Sequence, residues 1–313
     1  MKSYKGLIKS GMLVIMLTFN AAAGFAQGAT DFNVALTKDM DGVVINGYIG
    51  KVAQITIPDS IEGMPVLEIA SEAFESNSVI TSVTLPNSVK TVDERAFFRC
   101  NNLTKVVFGN GLKSIGREAF AECKKLASVT LQNVETATDD FVFADCPSLT
   151  TFILPNAIKK IGEGMFMDCN ALLSVTLPNN LTEIPAQMFS GCSKLEKITI
   201  PESVIKIDVE AFLGCDKITT VVFPASLTDI RGRAFSKCGS LVSVAFSTGI
   251  KTISHGAFSR CPELTTVTIP DSVTKITFDE TVWGAPSSPI FEGDTKLSLA
   301  SQIALKKRGL TTL

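Results

Sequence analysis
Apolar residues recur along this chain on a 23-residue clock, not on the 3.6-residue period of one long helix. Phenylalanine keeps one slot: Phe74, Phe97, Phe120, Phe143, Phe166, Phe189, Phe212, Phe235 and Phe258. Cysteine keeps another, three residues on: Cys100, Cys123, Cys146, Cys169, Cys192, Cys215, Cys238 and Cys261. Leucine follows the cysteine by three, as at Leu103 and Leu126, and Val or Ile follows by six, as at Val106 and Val129. A second strand residue follows by eight (Phe108, Leu131), often with Pro after it, and Ile by fifteen (Ile115, Ile161, Ile184). The unit reads A-F-x-x-C-x-x-L-x-x-V-x-L-P-x-x-L-x-x-I-x-x-x.

This pattern predicts local structure. V-x-L alternates, so it is a short strand with one buried face, and the proline after it ends the ladder. L-x-x-I is a second short extended or turning piece. A-F-x-x-C has helical spacing and predicts one turn of helix or 3-10 helix. A single 23-residue unit cannot bury its own core, whereas in-register units stacked about 4.8 Å apart bury each other's columns. The expected architecture is therefore an α/β solenoid with a parallel sheet, short helical or 3-10 turns elsewhere, and capped ends.

The ends depart from the clock. Residues 31–49 alternate around Asp39-Met40-Asp41-Gly42 and predict a hairpin over the open core. Phe291, Asp294 and Leu297 repeat the spacing without the cysteine, and the residues from 298 to 308 read as an amphipathic capping helix. Inside the array, the unit around residues 134–140 slips by one and lacks its Ile, so a local distortion is expected there. The organisation is then 1–26 signal peptide, 27–72 N-terminal cap and first divergent unit, 73–277 repeats, and 278–313 degenerate repeat and capping helix.

The signal reading rests on Lys2, Lys5 and Lys9, an apolar run over 12–19, and Ala21-Ala22-Ala23-Gly24-Phe25-Ala26 before the cleavage point. The uncharged stretch over 10–26 is shorter than the about 20 residues a membrane span needs. Export by the general pathway to the surface, the medium or the periplasm follows, with no transmembrane segment in the mature chain. Lysine and arginine total 29 against 31 acidic residues, a balance that argues against nucleic acid. Losing three lysines leaves 26 against 31, a formal charge of −5.

Little chemistry is offered. Cysteines one unit apart have parallel side chains, which suits a buried thiol column better than disulfides or a converging tetrahedral metal site. His255 is the only histidine and lies in a variable turn, so no nucleophile–base pair is expected. No enzyme, metal or cofactor is predicted. The outward strand positions are Ser/Thr-rich, with an apolar component. They nominate a binding face comprising Lys105, Val107, Thr130, Ile153, Thr176, Lys197, Thr199, Val222 and Ala245.

The repeat, the entry Ile57-Pro58-Asp59-Ser60-Ile61-Glu62-Gly63-Met64-Pro65-Val66 and the close Leu297-Ser298-Leu299-Ala300-Ser301-Gln302 resemble the treponemal or BspA-like leucine-rich repeats. The resemblance covers nearly all of the mature chain. It implies a curved, right-handed solenoid with the sheet on the concave face. It also implies a secreted or surface protein that binds a protein ligand, whether host extracellular or bacterial, or mediates adhesion; the alternative is a periplasmic structural or assembly scaffold. The asparagine ladder common in other leucine-rich repeats is missing, since its slot holds Ser88, Gly111, Ala157 and Asn180. Loop ordering must therefore come from the prolines and the cysteine column.

Overall fold
The computed structural model describes residues 29–132 and 135–270. The expected signal peptide, degenerate last repeat and capping helix lie outside the described residues. Within them the chain winds into a coil held by three rows of hydrogen bonds between successive turns.

The first row is the V-x-L strand. Gln54–Thr56, Ser82–Thr84, Lys105–Val107 and Ser128–Thr130 pair in parallel, with Ile55, Val83, Val106 and Val129 in register. Thr151–Ile153 pairs with Ser174–Thr176, and Thr220–Val222 with Ser243–Ala245 and Thr266–Thr268. The second row is the L-x-x-I piece, two-residue strands such as Thr91–Val92, Ser114–Ile115 and Ala137–Thr138. It starts from an antiparallel hairpin, Phe32–Leu36 with Val43–Tyr48, as the alternation predicts, and the second of these strands pairs in parallel with Met64–Ile69.

The third row replaces the expected helical turn. Within A-F-x-x-C the turn bonds do form, from Phe98 N–H to the Arg95 carbonyl at 3.0 Å and from Cys100 N–H to the Phe97 carbonyl at 3.2 Å. But Arg95 (φ 53°) and Arg99 (φ 58°) are left-handed, and so is every residue two before or two after a repeat phenylalanine. A left-handed residue cannot propagate a right-handed helix. It turns alternate N–H groups along the array instead. Arg95, Phe97 and Arg99 donate to the carbonyls of Arg117, Ala119 and Ala121 in the next coil at 2.9, 2.7 and 3.0 Å. No α-helix occurs among the described residues, and 3-10 helix is confined to Ala29–Asp31. The α/β expectation gives way to a parallel-strand β-solenoid.

The core is a file of stacked rings. Phe32 and Tyr48 of the hairpin lead into Phe74, and the file runs through to Phe258. The stack is tight at Phe74–Phe97, 4.6 Å between centroids, and widest at Phe143–Phe166, 6.2 Å. The residue before each ring supplies a cause. It is Ala at 73, 96, 119, 211, 234 and 257, but Val142, Met165 and Met188 in the middle units. These larger buried side chains wedge the coils apart where the rings separate.

The second row breaks in the same region. Asp93, Gly116, Asp139, Asp208, Arg231 and Ser254 each donate back to a carbonyl one coil earlier at 2.7–3.0 Å. In the unit of the expected distortion the strand is in register after all, with Thr138 opposite Ile115 in the Ile slot. The distortion appears one coil later, because buried Thr138 Oγ1 captures the Gly162 N–H (3.3 Å) that would otherwise join the ladder. One coil further on, Pro185 fills the donor slot and has no N–H to give. Lys160 bridges back to Ala137, and no pairing joins it to Glu183–Ile184. Leu181, unlike its buried counterparts Val204 and Leu227, is left half-buried.

Candidate functional site
The nominated binding residues project from the first-row strands, except Lys197 and Thr199, which hold the same slots in a coil without a named strand. Lys105, Thr130, Ile153, Thr176, Lys197, Thr199 and Val222 are exposed, and Val107 and Ala245 are half-exposed. Alternation does the positioning: Val106, Phe152, Val175, Val221 and Val244, between the outward residues, are buried. Register brings Thr84, Val107 and Thr130 side by side, then Ile153 beside Thr176, then Val222 beside Ala245 and Thr268.

These groups do not form one continuous sheet. Ser128–Thr130 is not paired to Thr151–Ile153, and Lys197 makes only an isolated bridge to Ser174. Inward residues next to the gaps, Val129 and Ile198, are only partly buried. The face is therefore three panels. Its largest aliphatics are Ile153, 70% exposed, and Val222, 76% exposed. Charge is concentrated elsewhere, on the turns. There, Arg99 pairs with Glu122 and Arg233 with Glu210, one coil apart, each at 2.8 Å.

The cysteine column, Cys100, Cys123, Cys146, Cys169, Cys192, Cys215, Cys238 and Cys261, is fully buried and unbridged. The thiols do more than fill space. Each Sγ–H donates to the carbonyl of the phenylalanine 26 residues earlier, from Cys100 to Phe74 at 3.0 Å through to Cys261 to Phe235 at 3.2 Å. The thiol is thus a second donor to a carbonyl that already accepts a turn N–H, as the Phe97 carbonyl accepts from Cys100 N–H and from the Cys123 thiol. Asn77 takes the slot in the first unit, where its Oδ1 accepts from Val79 and Ile80 N–H. Burial pushes the Cys100 thiol up to about 12 and raises Cys123, Cys146, Cys169, Cys192, Cys215 and Cys238 well above their ordinary value. Protonated thiols are poor nucleophiles and poor metal ligands. Among the described residues no cluster of His, Cys, Asp or Glu could hold a metal ion, and no helix is long and apolar enough to cross a membrane.

One site escaped the sequence reading. A cleft of about 380 Å³ opens at the break in the second row, with Lys159, Lys160 and Glu163 on one lip and Glu183 and Asp208 on the other. Its signal was Pro185, a proline in a slot that elsewhere holds residues able to donate.

Comparison with known proteins accounts for this geometry. A family model for the BspA type leucine rich repeat region, in six copies, matches residues 67–196 and 159–280. This chain belongs to the BspA-type leucine-rich repeat family. Within that fold, it is similar to the T. pallidum leucine rich repeat protein TpLRR. Their identity is 31% over 69% of this chain and 90% of that one, with a TM-score of 0.58. A Bacteroides ovatus leucine-rich repeat protein (23% identity, 83% and 80% covered, TM-score 0.64) shares the fold. So does a leucine rich cell surface protein of Faecalibacterium prausnitzii (22%, 88% and 82%, TM-score 0.54). No curated protein matches the chain.

Proposed function
We propose that this BspA-type repeat protein is a non-catalytic binding module that docks a protein ligand on its Ser/Thr-rich strand face, the concave side expected of a curved array. Ile153 and Val222 carry the reading. Each is a large aliphatic side chain, more than two-thirds exposed, on a face with few charges. The fold does not need either, since Thr176 and Thr130 fill the same outward slot in other coils. Exposed aliphatics framed by hydroxyls suit a protein surface, where an apolar centre is desolvated inside a polar rim. Lys105 and Lys197 would set orientation rather than affinity. The export signal expected at residues 1–26 supports a ligand outside the cytoplasm, and adhesion at the cell surface is the form we favour.

The test is binding of purified protein to an immobilised extracellular-matrix extract. A double variant, Ile153→Asp with Val222→Asp, should lose at least about tenfold in affinity with unchanged thermal unfolding. Equal binding by the variant would dismiss the face. Protease added to intact producing cells decides location. Cleavage while a periplasmic control survives supports surface display, and protection until the envelope is opened favours the periplasmic scaffold.

A further inference from the structure
We propose that the cleft at the break in the second row is a separate binding site that takes an extended peptide segment carrying a basic side chain, added as a strand to the edge at Glu183–Ile184. Three observations carry it.

The first is a set of ladder groups without a partner strand. Elsewhere in this row Ile205 donates to the Thr182 carbonyl and Thr228 to that of Ile205, both at 2.9 Å. The corresponding bond from Thr182 N–H to the Lys159 carbonyl is not made. The Ile161 carbonyl faces a proline where its donor should be. An open strand edge recognises another peptide backbone, and it does so through main-chain bonds that any extended segment can supply.

The second is space. The cleft's 380 Å³ lies within the 300–1,000 Å³ range of small-ligand sites, room for a few extended residues. Half-buried Leu181 offers an apolar contact at its edge.

The third is charge. Glu183 and Asp208 stand together on the second lip, both held by Lys206 at 2.6 and 3.0 Å. Burial pushes the Glu183 carboxyl up, and Asp208 beside it adds to the shift. Burial acts the same way on Asp208, but bonds from Glu183, Lys206 and Val209 N–H outweigh it and hold that group below its ordinary value. Glu183 and Asp208 thus place two acidic groups against one lysine, so this lip is acidic. Lys160, which occupies the Glu183 slot one coil earlier, does not cross the cleft to it and reaches back toward Asp139 at 3.8 Å. Lys159 likewise pairs backward with Glu135 at 3.0 Å.

The chain contains its own pattern for the probe. Ile205-Lys206-Ile207 runs along the far side of Glu183–Ile184, with Lys206 on Glu183. The experiment is titration of the isotope-labelled full chain with acetyl-Ile-Lys-Ile-amide, read by amide chemical shifts. Saturable shifts confined to residues 159–163 and 181–186 are expected. Acetyl-Ile-Glu-Ile-amide should bind at least about fivefold more weakly, and methylation of the Lys amide nitrogen should abolish binding. Pro185→Ala restores the missing donor, lets the coils close, and should lose the shifts. Glu183→Gln keeps the proline and should weaken binding without closing the cleft. No saturation by about 5 mM, equal binding of the Glu peptide, or unchanged binding by Pro185→Ala would each overturn the proposal. The strand-face reading stands or falls separately, because these variants leave that face untouched.

Discussion
At the scale of single residues, the fold depends on backbone conformations that most side chains resist. The left-handed turn positions are occupied mainly by Glu, Arg, Asp and Lys and only at Gly164, Gly191, Gly214 and Gly256 by glycine. Each non-glycine residue there costs about 1–2 kcal/mol, offset by the bonds to the next coil. Lys237→Gly (φ 59°) should therefore raise stability by about 0.5 kcal/mol, after glycine's extra unfolded-state freedom is subtracted. Gly214→Ala (φ 72°), with no atom nearer than 3.9 Å to the new methyl, should lose about 1 kcal/mol from the backbone alone. Urea denaturation measures both. The thiols make a pH prediction. An unfolded thiol titrates near 9.0 and folded Cys100 near 12, so the folded state holds the proton more tightly. Stability is complete below about pH 9 and falls as pH rises towards the folded value, by about 1.4 kcal/mol per thiol per pH unit. With seven raised thiols, alkaline unfolding should be steep, and a thiol-specific reagent at pH 8 should label none of these seven until the chain unfolds. Labelling of any of these seven in the native protein would refute their burial. The cysteine spacing was plain in the sequence. Its role as donor to a phenylalanine carbonyl was not, because that bond joins residues 26 apart in neighbouring coils, and no local pattern announces it.

At the scale of the element, the two strand rows were legible because alternation and proline act within a few residues. The third row was misread as helix, since A-F-x-x-C has the right spacing but its hydrogen bonds run between coils. The break in the second row depends on buried Thr138 and on Pro185, 47 positions later, each recognisable only when slots are compared down the array. Nearest-neighbour stacking makes stability a sum over interfaces, so the weakest interface should divide the molecule. Native-state hydrogen exchange should show Thr182 and Ile161 amides opening at lower free energy than those of Val92 and Ile230, and urea should resolve two transitions. Pro185→Ala should merge them into one. A single protection plateau across both halves in the native protein would contradict the division.

At the scale of the whole molecule, the repeat, the antiparallel hairpin and the outward strand face could all be read from the sequence. The division of that face into panels could not, because it lies in which coils pair and which do not, and no single unit's pattern carries that. The larger residues before Phe166 and Phe189 give a test of the packing. Met165→Ala with Met188→Ala should lose several kcal/mol to cavities, measured by thermal unfolding. One further consequence follows from the direction of the bonds. All three rows run along the axis of the array, so a pull applied at the two ends loads them one after another rather than together. Coils should peel singly at low force, each releasing about 80 Å of chain from a stacked spacing of about 4.8 Å. A molecule built this way behaves under tension as an extensible tether, absorbing a tug by paying out one coil while the rest remain wound.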